Sequence, residues 1–288
     1  MVKNFFQISD LTRDQLLRII LPKENKPLLK EKNIGLIFEK YSTRTRLSFT
    51  VGISQLGGNP IEIKFEDLNF NRKESFEDTL KALNCYLDGL IYRTTEHNRL
   101  LESSKYFNKP IINALSDISH PCQIISDLYT LYERFKTLKL NILWMGDMNN
   151  VCFSLVEAVN IIQDINLTIC TPRSISDKVK WQMNKNIVIE NNPSNLYLNK
   201  VNCVMTDVFI SMNDKESIEK IELLKKYSVK ADLMSKTLKD SIFMHCLPAK
   251  VGLEVSEDVF RSTKSIVWRQ AYNRLVAQNN LMQLINWD

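Results

Sequence analysis

Two periodicities alternate along this chain. Short apolar runs at Ile34–Phe38, Ile61–Phe65, Gly89–Arg93, Pro110–Ala114 and Leu140–Met145 predict strands. So do Leu167–Cys170, Ile187–Ile189, Val201–Thr206, Ile242–Leu247 and Ile266–Trp268. Between them, apolar residues recur at helical spacing. Thr12-x-x-Gln15 fits a capping box, with Leu11 and Leu16 placed as a hydrophobic staple, and opens a helix running to about Ile20. Thr43–Leu56 reads as a helix ended by Gly57-Gly58. Phe76, Leu80, Leu83 and Leu87 mark another buried face. Pro121 sits at the first position of a helix whose core side is Ile124, Leu128, Leu131 and Phe135. Further helices are expected over Val151–Ile162 and Ala271–Ile285. Strands alternating with helices predict an α/β fold of mostly parallel sheets flanked by helices. The pattern restarts near Lys136, which predicts two domains, 1–135 and 136–270.

Composition narrows the function classes. The 288 residues carry 38 Lys+Arg against 33 Asp+Glu, a net charge of +5 spread along the chain. Without a basic stripe, nucleic-acid binding is not expected. No apolar run is long enough for a membrane span, and charges among the first 20 residues leave no signal-peptide core. The six cysteines have no CxxC spacing, and the three histidines have no metal-ligand spacing. The expectation is a reduced, cytoplasmic protein without a metal.

Five polar clusters lie where α/β sheets bind ligands, beyond strand ends. Ser42-Thr43-Arg44-Thr45-Arg46 follows a strand and opens a helix. Hydroxyls, free N–H groups and arginines there make an anion site, although a simple helix cap is the plainer reading. His120-Pro121-x-Gln123 offers neutral donors to a polarised carbonyl oxygen, or merely a capping histidine. His245-Cys246-Leu247-Pro248 ends a strand; a positioning thiol is favoured over a nucleophile or a buried structural cysteine. Asp207-x-x-x-Ser211-Met212 could hold an ammonium, and Gly146-Asp147-Met148-Asn149-Asn150 a carboxylate. Arg93 and Arg274, at element ends, read individually as solvated arginines.

Taken together and in order, FEKYSTRTR, HPCQ, GDMNN, DVFISM and HCLPAK resemble the transcarbamylase family, in its ornithine branch, from about Phe38 to Gln278. The resemblance implies a carbamoyltransferase joining carbamoyl phosphate to the δ-amine of L-ornithine by direct attack, without cofactor or metal. It implies carbamoyl-phosphate contacts at Ser42, Thr43, Arg44, Thr45, Arg93, His120, Gln123, Cys246, Leu247 and Arg274. It implies ornithine contacts at Asn150, Asp207, Ser211 and Met212. Arg44, Arg93, His120, Gln123 and Cys246 would serve the reaction itself. The C-terminal helix, about 271–288, would pack back on the first, carbamoyl-phosphate-binding domain, and 136–270 would bind ornithine. Lys73-Glu74-Ser75 resembles a loop that reaches a neighbouring active site, implying a homotrimer. The implied setting is amino-acid metabolism, in arginine biosynthesis. Putrescine or an N-acylornithine as acceptor, or a non-catalytic homologue, are the alternatives.

Overall fold

The structure, a computed structural model, describes residues 2–21, 24, 26–68, 74–211 and 217–287. Two compact units are present. Unit 1 comprises residues 1–129 and 272–288, and unit 2 residues 130–271.

Unit 1 opens with α1 (Arg13–Ile20). The capping box forms as expected, with Gln15 N–H donating to Thr12 Oγ1 at 3.3 Å and Thr12 N–H to Gln15 Oε1 at 2.8 Å. Its sheet contains β1 (Asn33–Phe38), β2 (Asn59–Lys64), β3 (Gly89–Arg93) and β4 (Ile111–Leu115). All are parallel, in the order β2-β1-β3-β4. The central strands β1 and β3 are buried along nearly their whole length, which is why they read as unbroken apolar runs. Around them lie α2 (Arg44–Gln55), α3 (Phe76–Asn84) and α4 (His97–Tyr106).

Helix α5 (Pro121–Phe135) carries the chain into unit 2, and α11 (Val267–Met282) returns it to unit 1. The end of α11 packs on α2. A Cβ on Gly52 would fall within contact of Asn279 Oδ1 and 3.1 Å from Met282 Cε, so glycine is what admits the second helix.

Unit 2 holds β5 (Asn141–Met145), β6 (Asn166–Cys170), β7 (Ile187–Glu190), β8 (Cys203–Thr206) and β9 (Ile242–His245). They form a parallel sheet in the order β7-β6-β5-β8-β9. Its helices are α6 (Asn150–Ile161), α7 (Arg173–Ser176), α8 (Ile218–Leu224), α9 (Ala231–Ser235) and α10 (Glu257–Phe260). Its core gathers Leu143, Met145, Val204, Phe209, Phe243 and Val267.

One expected strand is absent. Ile266–Trp268 makes a single ladder step, with Phe243 N–H on the Lys264 carbonyl and Ile266 N–H on Phe243, and then turns into α11 at Val267. The reason lies one turn into the helix. The Gln270 side-chain oxygen accepts the His245 N–H at 2.9 Å, replacing the backbone partner a longer strand would have provided. Among the described residues, no helix is long and apolar enough to cross a membrane.

Candidate active site: two polar half-sites at the sheet switch points

In both sheets the first strand of the unit has neighbours added on either side: β2 and β3 flank β1, while β6 and β8 flank β5. Loops leaving such strands diverge and open a crevice at their C-terminal ends. Three of the five clusters leave a strand end directly; STRTR follows β1 after three residues, and HPCQ follows β4 through a short loop.

In unit 1, β1 leads through Glu39-Lys40-Tyr41 into Ser42–Thr45. Helix α2 begins without a side-chain cap on Thr43, leaving its first N–H groups unused by side chains. Thr45 is buried, and Arg274 of α11 donates to its Oγ1. A hydroxyl that accepts there still has its own O–H to donate. Arg44 Nε is buried and has no hydrogen-bond partner among the described residues. Arg93 ends β3 at a register shift against β4. Neither Arg93 nor Arg274 is the solvated residue that an isolated arginine suggests: they are 6% and 3% exposed.

His120 precedes α5 and is buried. Burial, followed by Arg274, Arg93 and Arg44, pushes its pKa well below the usual 6.5. The ring is therefore neutral at neutral pH, held so by the same arginines that would attract an anion. Gln123, fully buried, donates Nε2–H to Asp127 Oδ1 at 2.8 Å. Its carbonyl oxygen is buried without a hydrogen-bond partner among the described residues, so this side chain presents an acceptor, where sequence pointed to a donor.

A buried carboxylate that sequence reading passed over ties these strand ends together. Glu39, directly after β1, accepts from Tyr92 OH at 2.6 Å, Thr95 N–H at 3.0 Å and Arg99 NH1 at 2.8 Å. Burial alone would raise its pKa, but these hydrogen bonds outweigh burial and lower it. Its own N–H donates to the Arg93 carbonyl. A polar residue flanking a phosphate-type motif was the available signal.

In unit 2, Asp207 follows β8 and is 8% exposed. Cys246 Sγ donates to Asp207 Oδ1 at 2.9 Å, and Asn149 Nδ2 donates to Asp207 Oδ2 at 2.7 Å. Asn149 also caps α6, accepting from Val151 N–H and Cys152 N–H, and lies 3.5 Å from Ser211 Oγ. The structure thus gathers Asp207, Ser211 and Cys246. It adds Asn149 beside the expected Asn150, which is half-buried in the first turn of α6. Met212 and Lys73 lie outside the described residues. Ser75 accepts from Asp78 N–H as the cap of α3.

Cys246 begins a turn in which Leu247 has φ +58°, a left-handed conformation that costs a bulky residue free energy. Leu247 N–H donates to His245 Nδ1 at 2.9 Å, and His245 Nε2 meets Glu254 Oε1 at 3.1 Å. With Nδ1 accepting, Nε2 carries the proton, and the fully buried Glu254 fixes that tautomer. Asp207, His245 and Cys246 bring one donor atom each within 4.8 Å, but both ring nitrogens of His245 are already engaged within the protein. His245 is therefore a brace for the turn, not a base for the thiol.

Residues 3–133 match the model of the aspartate/ornithine carbamoyltransferase carbamoyl-P binding domain, and residues 138–285 the model of the Asp/Orn binding domain. An ornithine carbamoyltransferase of Brucella abortus is 37% identical over 296 residues, covering 98% of this chain and 95% of the relative. One from Methanosphaera stadtmanae is 41% identical over 270 residues, covering 89% and 88%. Among solved structures, ornithine carbamoyltransferase from Pyrococcus furiosus superposes with a TM-score of 0.89 at 32% identity, covering 99% of this chain and 97% of that one. With both domain models matched in order across nearly the whole length, the chain belongs to the aspartate/ornithine carbamoyltransferase family.

Proposed function

We propose that the chain transfers the carbamoyl group of carbamoyl phosphate to the δ-amine of L-ornithine, giving L-citrulline and phosphate. The observation that carries this reading is the presence of two unlike half-sites in one chain. Unit 1 offers an uncapped helix start with Arg44, Arg93 and Arg274, suited to a dianion. Unit 2 offers Asp207, backed by Asn149 and Cys246, suited to an amino acid's ammonium.

The chemistry is a direct displacement. The neutral δ-nitrogen attacks the carbamoyl carbon, negative charge grows on the carbonyl oxygen, and phosphate departs with the C–O electron pair and takes up the proton the nitrogen loses. Arg44, Arg93, the Thr45 hydroxyl and neutral His120 supply donors for that charge. Gln123 Oε1 accepts from the carbamoyl amine. Ser42 and Thr43 line the phosphate end and Arg274 closes it. On the acceptor side, Asp207 holds the α-ammonium and Asn150 the α-carboxylate, with Ser211 and Met212 completing the contacts. Cys246 and Leu247 lie between the substrates, the thiol orienting the attacking amine. Catalysis is positioning and electrostatics, with no covalent intermediate.

The same reading carries a cytoplasmic homotrimer serving arginine biosynthesis, in which the loop at Lys73-Glu74-Ser75 reaches a neighbouring copy. Light scattering checks the assembly. The decisive experiment is a colorimetric citrulline assay with carbamoyl phosphate and a panel of amines. Ornithine is expected to be used far better than putrescine or N-acetylornithine. Equal or better use of putrescine removes the acceptor assignment and leaves carbamoyl transfer standing; no turnover with any amine removes both.

A further inference from the structure

We infer that Asp127 sets the hydrogen-bond polarity of the carbamoyl half-site by fixing which end of the Gln123 amide faces the substrate. This rests on the carbamoyl-phosphate reading above.

The cluster in unit 1 is almost entirely made of donors: three guanidinium groups, a hydroxyl, a helix start and an imidazole. Such a surface suits phosphate and carbonyl oxygens. It repels the carbamoyl amine, which has only N–H bonds to offer. An acceptor is required, and Gln123 Oε1 is one: buried, with no partner among the described residues. A glutamine is ambivalent, since rotation by half a turn about its last bond exchanges oxygen for nitrogen at nearly the same shape. Something must decide between the two. Asp127 stands one turn along α5, itself 1% exposed, and a carboxylate oxygen at 2.8 Å accepts the Nε2 proton. Turning the amide over would set two oxygens against each other inside the protein, an arrangement with no favourable hydrogen bond. Asp127 thereby commits Nε2 to itself and Oε1 to the ligand. It touches no reacting atom and is a positioning residue. Its charge is unfavourable to a bound dianion, a cost set against the acceptor it enforces.

The test is Asp127→Asn, which keeps the shape and supplies a donor. The introduced amide can donate as well as accept, so the reversed Gln123, whose N–H groups oppose the carbamoyl amine, is no longer excluded. The KM for carbamoyl phosphate should rise as the share of correctly turned Gln123 falls, by about 2- to 10-fold. Inhibition constants for inorganic phosphate and for acetyl phosphate, in which a methyl replaces the amine, should not weaken. The double variant Gln123→Glu with Asp127→Asn keeps the net charge and presents an acceptor again. It should recover much of the lost preference for carbamoyl phosphate over acetyl phosphate. An unchanged KM in Asp127→Asn, or equal weakening toward all three ligands, overturns the inference. Should the single variant not fold, the double variant decides: discrimination between carbamoyl and acetyl phosphate supports the inference, and its loss overturns it. A wild type that cannot use carbamoyl phosphate overturns the proposed function first, and this inference with it.

Discussion

Arg44 is where charge and burial meet most sharply. Its Nε is buried at the start of α2, yet no structural hydrogen bond depends on that atom. Arg44→Ala should therefore leave the melting temperature near that of the wild type. It should lower kcat/KM by about two to three decades, the usual loss when a donor aimed at developing charge is removed. Steady-state kinetics beside a thermal melt checks both halves, and near-normal kcat/KM removes the anion-site assignment. Asp207 answers to a different ligand. It is held by Cys246 and Asn149, so Asp207→Asn alters charge while keeping shape. Ornithine KM should rise by about one to three decades, from the roughly 2–5 kcal/mol that a buried charge pair loses on truncation. The KM for carbamoyl phosphate should be little affected; a parallel rise in both constants marks Asp207 as structural.

Between elements, the tightest constraint is the approach of α11 to α2. Alanine normally stabilises a helix interior by roughly 1 kcal/mol over glycine. At Gly52 the added methyl meets Asn279 and Met282, and Asn279 is pinned from the other side by donating to Gln55 Oε1 at 2.8 Å. Overpacking of about 1–3 kcal/mol should outweigh the helix gain. Gly52→Ala is thus expected to lower the denaturant midpoint, and because α11 carries Arg274 to Thr45, to weaken phosphate inhibition as well. A stabilised variant contradicts this account. The turn after β9 shows another interplay of elements. The left-handed Leu247 is held by His245, and His245 by Glu254 from the segment before α10, so the position of Cys246 depends on residues beyond its own turn.

For the whole molecule, two buried histidines set the response to acid. His120 and His97 are both pushed below the usual 6.5, burial being the largest cause in each. The unfolded chain takes up protons near pH 6.5 and the folded protein does not, so acid favours unfolding. Stability should be flat above about pH 6.5 and fall progressively below it. Glu39, whose pKa is lowered, adds a separate loss only below its ordinary 4.5. Melting curves from pH 8 to pH 5 test this, and a melting temperature that holds or rises toward pH 5 contradicts it. Activity should instead rise from acid toward about pH 8, because the δ-amine, with a pKa near 10, must lose its proton before attack.

Local pattern was enough to read the alternation of strands and helices, because central parallel strands are buried on both faces and their side chains must be apolar whatever surrounds them. It also picked out the capping box at Thr12 and the turn at Gly57, which are decided within four residues of chain. The motifs at Ser42–Thr45, His120, Asp207 and Cys246 were legible because charged and polar groups beside strand ends have few other uses. What the chain could not disclose depends on partners distant in sequence. Arg93 and Arg274 look like surface arginines until the fold buries them. Ile266–Trp268 looks like a strand until the Gln270 side chain supplies the next hydrogen bond to β9. Asn149 was passed over for Asn150, since only the fold sets a capping side chain against Asp207. The direction of the Gln123 amide is the clearest instance. Glutamine is chemically two-faced, and only a packed neighbour that accepts and cannot donate removes the ambiguity.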